Sequence, residues 1–215
     1  MRKSIIVLLV LGIILAAAVL ADIFAKGMAE RAVAASVKEA LQLDDEPSVA
    51  IGGFPFIVNL LNGVVPEVTL DAERIGTGRV RFDSATLTLE NVRLDAGALV
   101  SGEARSITIG GGRGSAVMSA ATLSRLLQRE GVPVTVDFIG GDVVVSPEGS
   151  PKQAEGDIAL EGQNLVLSSS LLPETVSVRL PTIAEGLRYR SIDIAEGQAI
   201  LEVGLGAGEF RLPEG

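Results

Sequence analysis

Residues 79–94 read Arg-Val-Arg-Phe-Asp-Ser-Ala-Thr-Leu-Thr-Leu-Glu-Asn-Val-Arg-Leu, and the placing of their apolar members decides the fold class. Val80 and Phe82, then Ala85, Leu87 and Leu89, then Val92 and Leu94 keep a period of two, interrupted by two one-residue slips. Period two is the mark of a strand with one face buried. A slip within it is how a β-bulge looks in sequence, and bulges bend and twist a sheet. The stretch therefore predicts a long strand in a curved antiparallel sheet.

The same alternation, broken by Gly, Pro and Asn, predicts further strands over 67–75, 104–109, 132–139, 142–146, 157–160, 165–169, 175–180 and 187–204. Many short strands with polar turns suggest an antiparallel meander or barrel. One internal helix is signalled by Ser119 as a cap, by Leu123, Leu126 and Leu127 at i, i+3, i+4, and by Gly131 and Pro133 closing it. No repeat of fixed period is found.

Towards the N-terminus the pattern is helical. Arg2 and Lys3 precede the uncharged run Ser4–Ala21, SIIVLLVLGIILAAAVLA, whose 18 residues span about 27 Å as a helix. This run enters a bilayer. Val19-Leu20-Ala21 before Asp22 also fits a small-residue cleavage site, while the length favours an uncleaved anchor. The basic residues on its N-terminal side place the body on the extracytoplasmic side, and export after cleavage is the alternative. Helical composition continues from Ile23 to about Leu43, with Val33, Val37 and Leu41 forming one stripe, and Asp44-Asp45-Glu46-Pro47 ends it. The expected organisation is a signal or anchor over 1–22 and one domain over 23–215.

Composition limits the chemistry. Apolar residues make up 47% of the 215 and aromatics only 3%, so the interior must be built from aliphatic side chains. The formal charge is −9, and setting aside Arg2 and Lys3 lowers it to −11. So acidic a body repels phosphate backbones, which argues against nucleic acid as a partner. Cys and His are both absent, which removes thiolate nucleophiles, imidazole bases and nearly all zinc chemistry. There is no Gly-x-Ser-x-Gly elbow and no Ser-x-x-Lys motif. Neither catalytic residues nor a metal or other cofactor is expected, and the chain is read as a non-enzyme.

Residues 52–63, GGFPFIVNLLNG, set two of the six phenylalanines beside a proline, ahead of a short apolar amphipathic turn. Taken alone, Phe54 and Phe56 suit a packed strand-to-helix junction as well as a ligand site. The order of features goes further: leader, helix, a GFPF junction with a Leu-Leu-Asn-Gly turn, strands containing Glu90-Asn91-Val92-Arg93-Leu94, a Ser-x-x-x-Leu helix, then more strands. This order resembles the LmeA-like phospholipid-binding family of bacterial envelope proteins, over nearly the whole chain after the leader.

The resemblance implies an α+β fold like the tubular lipid-binding domains, with a strongly curved antiparallel β-sheet wrapped around a long N-terminal helix, and one or two additional short helices. It implies a phospholipid, phosphoinositide-type lipids included, held in the apolar gap to support envelope glycolipid assembly or lipid handling. The physics agrees, because an aliphatic gap favours acyl chains by roughly 0.8 kcal/mol per buried CH₂. The expected lining is Val33, Val37, Leu41, Phe54, Phe56, Ile57, Leu60, Leu61, Phe82, Leu87, Leu89 and Phe138. Arg79 with Arg81, Arg188 with Arg190, and Arg113 within Gly110–Gly114 are the headgroup candidates, since alternating arginines share one strand face. A membrane-tethered structural or interaction domain with a filled core and no ligand is the alternative. Asp44, Asp45 and Glu46, and Asp137 with Asp142, mark loop polarity more readily than a metal cluster or an acid/base pair.

Overall fold

The computed structural model describes residues 2–77, 80–94, 106–172, 174–180, 186–195 and 197–211. The helical pattern at the N-terminus forms one continuous element, α1 (Arg2–Leu41). It stops where Gln42 turns to φ 51°, with Gln42 N–H donating to Glu39 O at 3.2 Å and Leu43 N–H to Lys38 O at 3.0 Å. These are the paired bonds of a Schellman ending, with glutamine in the left-handed position that glycine commonly takes. Leu43 is buried just beyond, so the acidic trio marks a true boundary.

Beyond α1 the fold is α+β and its strand pairing is antiparallel. The larger sheet has the order β1 (Ser48–Ile51), β2 (Val64–Thr77), β3 (Val80–Arg93), β5 (Gly111–Ser119), β12 (Gln198–Leu205), β11 (Leu187–Ala195). The short strands β4 (Ser106–Ile109) and β13 (Gly208–Arg211) pair with each other, and β4 also touches β3. The second sheet runs β10 (Val176–Arg179), β9 (Asn164–Ser169), β8 (Ala154–Glu161), β7 (Asp142–Pro147), β6 (Val134–Ile139). Neither sheet closes into a barrel. Two short helices complete the described elements, α2 (Phe56–Leu61) between β1 and β2, and α3 (Ala120–Arg129) between β5 and β6.

The two slips read in residues 79–94 are real, and they take an unexpected form. The β2–β3 ladder holds one register from Val64↔Arg93 to Thr77↔Val80, and the positions unpaired in it are Pro66 opposite Asn91 and Arg74 opposite Asp83. Both strands slip together. Residues three apart therefore share a face on each strand: Val65 with Val68 and Ala72 with Ile75 on β2, Phe82 with Ala85 and Leu89 with Val92 on β3. A slip on one strand alone would have offset the register and turned the partner's apolar residues outward.

That shared face carries two apolar clusters. The larger joins Phe82, Met118, Ala116, Leu201 and Tyr189 of the first sheet to Val136, Phe138, Val145 and Leu167 of the second, with Leu123, Leu126 and Leu127 of α3 between them. The smaller gathers Ile51, Phe56, Val65 and Val92, with Ala25 and Ala29 of α1 packed against it. Leu89 touches both.

Asp83, freed from the ladder, holds α3 in place. It accepts Ser119 N–H at 2.6 Å and the Thr122 hydroxyl at 2.9 Å, while Ser119 Oγ caps Thr122 N–H at 3.3 Å. Partial burial by itself would raise the Asp83 carboxyl; the Ser119 and Thr122 donors and the nearby Arg125 outweigh it and hold the carboxyl below the ordinary value of 3.8. On the other side of the helix, buried Ser124 bonds both Val136 N–H and Val136 O, which ties α3 to β6.

Leu123 is fully buried, so Leu123→Ala is expected to cost about 2–5 kcal/mol in chemical denaturation. Asp83→Asn is expected to cost about 1 kcal/mol, the scale of a lost helix-cap interaction near solvent. Because the folded carboxyl is depressed, its contribution is present above the unfolded value and disappears as pH falls through the folded one. Stability curves of the two proteins should then converge in acid.

Candidate functional site

Direct pairing carries one row of side chains across the inner face of the first sheet: Tyr189, Val203, Gly114, Leu87, Leu70 and Val49. Its two ends differ. Tyr189 and Val203 are buried in the larger cluster, whereas Leu87, Leu70 and Val49 are only half-buried. Val49 packs on the smaller cluster, and Leu70 and Leu87 lie between the two without being members of either. Ala72 and Ala85, paired with each other in the next inner row, are also half-buried. An aliphatic strip thus crosses β1, β2 and β3, with α1 and α2 at one end and α3 with the second sheet at the other.

Helix α1 borders this strip. Its less exposed positions recur at Asp22, Ala25, Ala29, Val33, Ala34 and Val37, on the side that meets β1 and α2. Glu30 accepts Ile51 N–H at 2.9 Å, at the end of β1. Asp22 is buried to 5% exposure and accepts Phe56 N–H at 2.9 Å and Ile57 N–H at 2.7 Å. The first turn of α2 is therefore held by a carboxylate of α1, because the residue before the helix is Pro55, whose side chain can cap nothing. Gly53, at φ 93°, is needed in the turn ahead of it, where a Cβ would collide with the Asn59 side chain and crowd Pro66.

The lining expected from sequence separates into three groups. Leu87 and Leu89 are half-buried on the inner face of β3, Leu60 is half-buried against the smaller cluster, and Val33 and Val37 are half-buried positions of α1. Phe56, Phe82 and Phe138 are buried core residues, the last of them in the second sheet. Phe54, Ile57, Leu61 and Leu41 are exposed, Leu61 by 74% and Phe54 by 68%. Leu70 and Val49 went unread as site residues. The alternation over 67–75 carried the signal for Leu70, while Val49 lies in a four-residue strand too short to show a period.

The described arginines among the headgroup candidates lie away from the strip. Arg113 sits opposite Thr88 and Arg188 opposite Gly204, one position off the inner rows, so both project from the outer face of the sheet. Arg190 is the extra residue of a bulge between Tyr189 and Ser191, and a Cβ on Gly204 would collide with its guanidinium. Arg113 is ion-paired with Glu90. Arg81 is exposed opposite Gly76, and Arg79 falls outside the described residues. Residues 111–114 lie inside β5, so their amides are engaged with β3 and β12 and form no anion cradle. Asp137 and Asp142 are exposed on either side of the Gly140-Gly141 hairpin turn. Asp45 is ion-paired with Arg74, and among the described residues no cluster of three metal-binding side chains occurs.

An apolar strip bordered by a long helix, on the inner face of an otherwise polar-backed sheet, suits a hydrocarbon guest. The family model described as LmeA-like phospholipid-binding matches residues 20–211. The chain belongs to that family. Its general role is accordingly lipid binding, and membership covers both sheets and all of α1 beyond the apolar run. Comparison with curated proteins and with solved structures returned no match. Within the family frame two open clefts can be placed. One of about 690 Å³ lies at the end of the second sheet, lined by Val132, Pro133, Pro147, Leu171 and Leu172 among others. The other, of about 380 Å³, lies by Arg93 and Thr108 where β3 meets β4. Neither touches the strip.

Tyr189 reports on how dry the closed end of the row is. Burial pushes its phenol from 10.0 up to about 12, and it is the single tyrosine of the chain. A near-ultraviolet phenolate titration of the folded protein should show one transition near that value, moving to the ordinary range on unfolding. Because the folded value is raised, stability is complete below the unfolded value and declines as pH climbs towards the folded one.

Proposed function

We propose that this protein holds a phospholipid with its acyl chains along the strip formed by Val49, Leu70, Leu87 and the neighbouring Ala72 and Ala85, between α1 and the larger core. The observation that carries the proposal is the half-burial of Leu70 and Leu87 on the inner face of the sheet, between two apolar clusters to which neither belongs. Aliphatic side chains left in water on the inner face of a sheet represent contact area that a hydrocarbon chain can cover, at about 25 cal/mol per Å² removed from water. Val33, Val37 and Leu89 would flank the chains. The outer-face arginines, a sheet's thickness away, take no part in holding them.

The protein acts in the cell envelope, tethered by residues 1–22 with residues 23–215 as the working domain on the extracytoplasmic side. Support for an uncleaved tether comes from the uninterrupted course of α1 through Ala21 and from the engagement of Asp22 with α2. Binding without chemical conversion of the lipid is the role proposed, in the handling of phospholipid, phosphoinositide-type lipid included, for envelope glycolipid assembly. The absence of His and Cys and the dispersal of the carboxylates support a non-enzymatic role.

Native mass spectrometry of the full chain, extracted in detergent, should detect bound phospholipid, and the protein should take up a fluorescent phospholipid from vesicles. Leu87→Gln places an amide in the strip and should weaken uptake about tenfold while leaving the far-ultraviolet spectrum unchanged. Absence of lipid together with absence of uptake would overturn the proposal in favour of a filled tethered domain.

A further inference from the structure

The large exposed apolar residues of the described chain lie mostly on α1 and on α2 with the turn before it. Leu9 to Leu20 of α1 are open to solvent, and the exposure continues into Ile23, Phe24 and Met28. Phe54, Ile57, Val58 and Leu61 then add a second apolar surface, on α2 and the turn before it. Elsewhere among the described residues the large exposed hydrophobics are Leu41, at the end of α1, and Ile139, at a hairpin tip.

Helix α2 is fastened beside the end of the apolar run. The two amides that open it are held by Asp22, the first charged residue after Ser4–Ala21. Phe56 and Leu60 turn inward to the smaller cluster, leaving Ile57, Val58 and Leu61 on the outside. The segment from Pro47 to Pro66 contains no Asp, Glu, Lys or Arg, in a chain that is 21% charged. A short, uncharged, outward-facing apolar surface fixed at the foot of a membrane-entering helix meets the boundary between headgroups and acyl chains, where such side chains are stabilised by burial.

We infer that α2 and the Phe54-Pro55 turn form a membrane-inserting foot, which dips Phe54, Ile57, Val58 and Leu61 into the outer part of the bilayer that α1 enters. The inference rests on the proposed tether. It adds a route for lipid, since α2 lies between the bilayer surface and the smaller cluster at one end of the strip. The occupant is the lipid surface itself, because Asp22, the residue that follows the apolar run, holds the first turn of α2 and so fixes the uncharged Ile57, Val58 and Leu61 beside the end of that run. Attachment through uncharged side chains also suits a chain whose net charge is −11 once Arg2 and Lys3 are set aside, which anionic headgroups would repel.

The chain has no tryptophan, so single introduced tryptophans report their own surroundings. Full-length variants Leu15→Trp, Leu61→Trp and Ile139→Trp would be reconstituted in phosphatidylcholine vesicles with and without bromine-labelled acyl chains. Each replaces an exposed side chain, so the fold is retained. Leu61→Trp should lose most of its emission to the brominated lipid and shift to the blue, in high salt as in low, while Ile139→Trp keeps its emission. Leu15→Trp tests the tether separately. Quenching at Leu15→Trp with none at Leu61→Trp overturns the foot and spares the tether; failure of quenching at Leu15→Trp overturns the tether. Phe54→Trp gives a second reading of the foot, and an unquenched, solvent-like emission from it as well as from Leu61→Trp rejects the inference outright.

Discussion

The strict two-residue alternation of a strand is the constraint on which this structure turns. The hairpin β2–β3 is fourteen residues long on each side and must present apolar side chains to two separate clusters on the same face. An unbroken alternation would serve both, but the residues between would then hold no special position. Here two opposed pairs leave the ladder together, so that register survives and the apolar face is resumed after each interruption. The pair Arg74 and Asp83 is then released for other work: Arg74 pairs with Asp45 beyond the end of α1, and Asp83 anchors the start of α3. Helices at both ends of the sheet are thus tied to the same irregularity.

That arrangement leaves the middle of the hairpin uncovered. Helix α1 reaches the inner face at β1, and α3 with the second sheet covers the far side, so neither closes over Leu70 and Leu87. Alanines at 72 and 85 and glycine at 114 keep the neighbouring positions low, and Gly114 is obliged to be small because a Cβ there would strike the backbone of Thr86. Dense packing on either side makes the strip a defined feature of a rigid sheet, consistent with close-packed interiors flanking it. Family membership gives lipid binding as the general role, and the half-open aliphatic face is the feature on which the proposed place of binding rests.

Much of the fold was legible along the chain. The boundary at Asp44, the cap at Ser119, the two slips within residues 79–94 and most strands could be read from local chemistry, which depends on residues a few positions apart. The stretch 187–204, read as one strand, is a hairpin turning at Gly197, since apolar residues on two strands joined by a tight turn keep an almost unbroken alternation. β5 was hidden for a different reason. Its glycines look like a loop, yet they pair on both sides in the centre of the sheet, where close approach of neighbouring strands excludes larger residues.

Sequence by itself determined the long apolar N-terminal run, the α+β class, the lack of imidazole and thiol groups, and the family through its order of motifs. These follow from composition and short-range periodicity. Tertiary structure alone decided that Phe82 and Phe138 are core while Leu70 is half-open, that Arg113 and Arg188 back the sheet, and that Asp22 holds a helix thirty-four residues away. Each of those depends on which strand lies beside which and on what covers the face between them. Alternation assigns a side chain to one side of a sheet, but only the packing of distant segments determines which side becomes the interior and where that interior is left open.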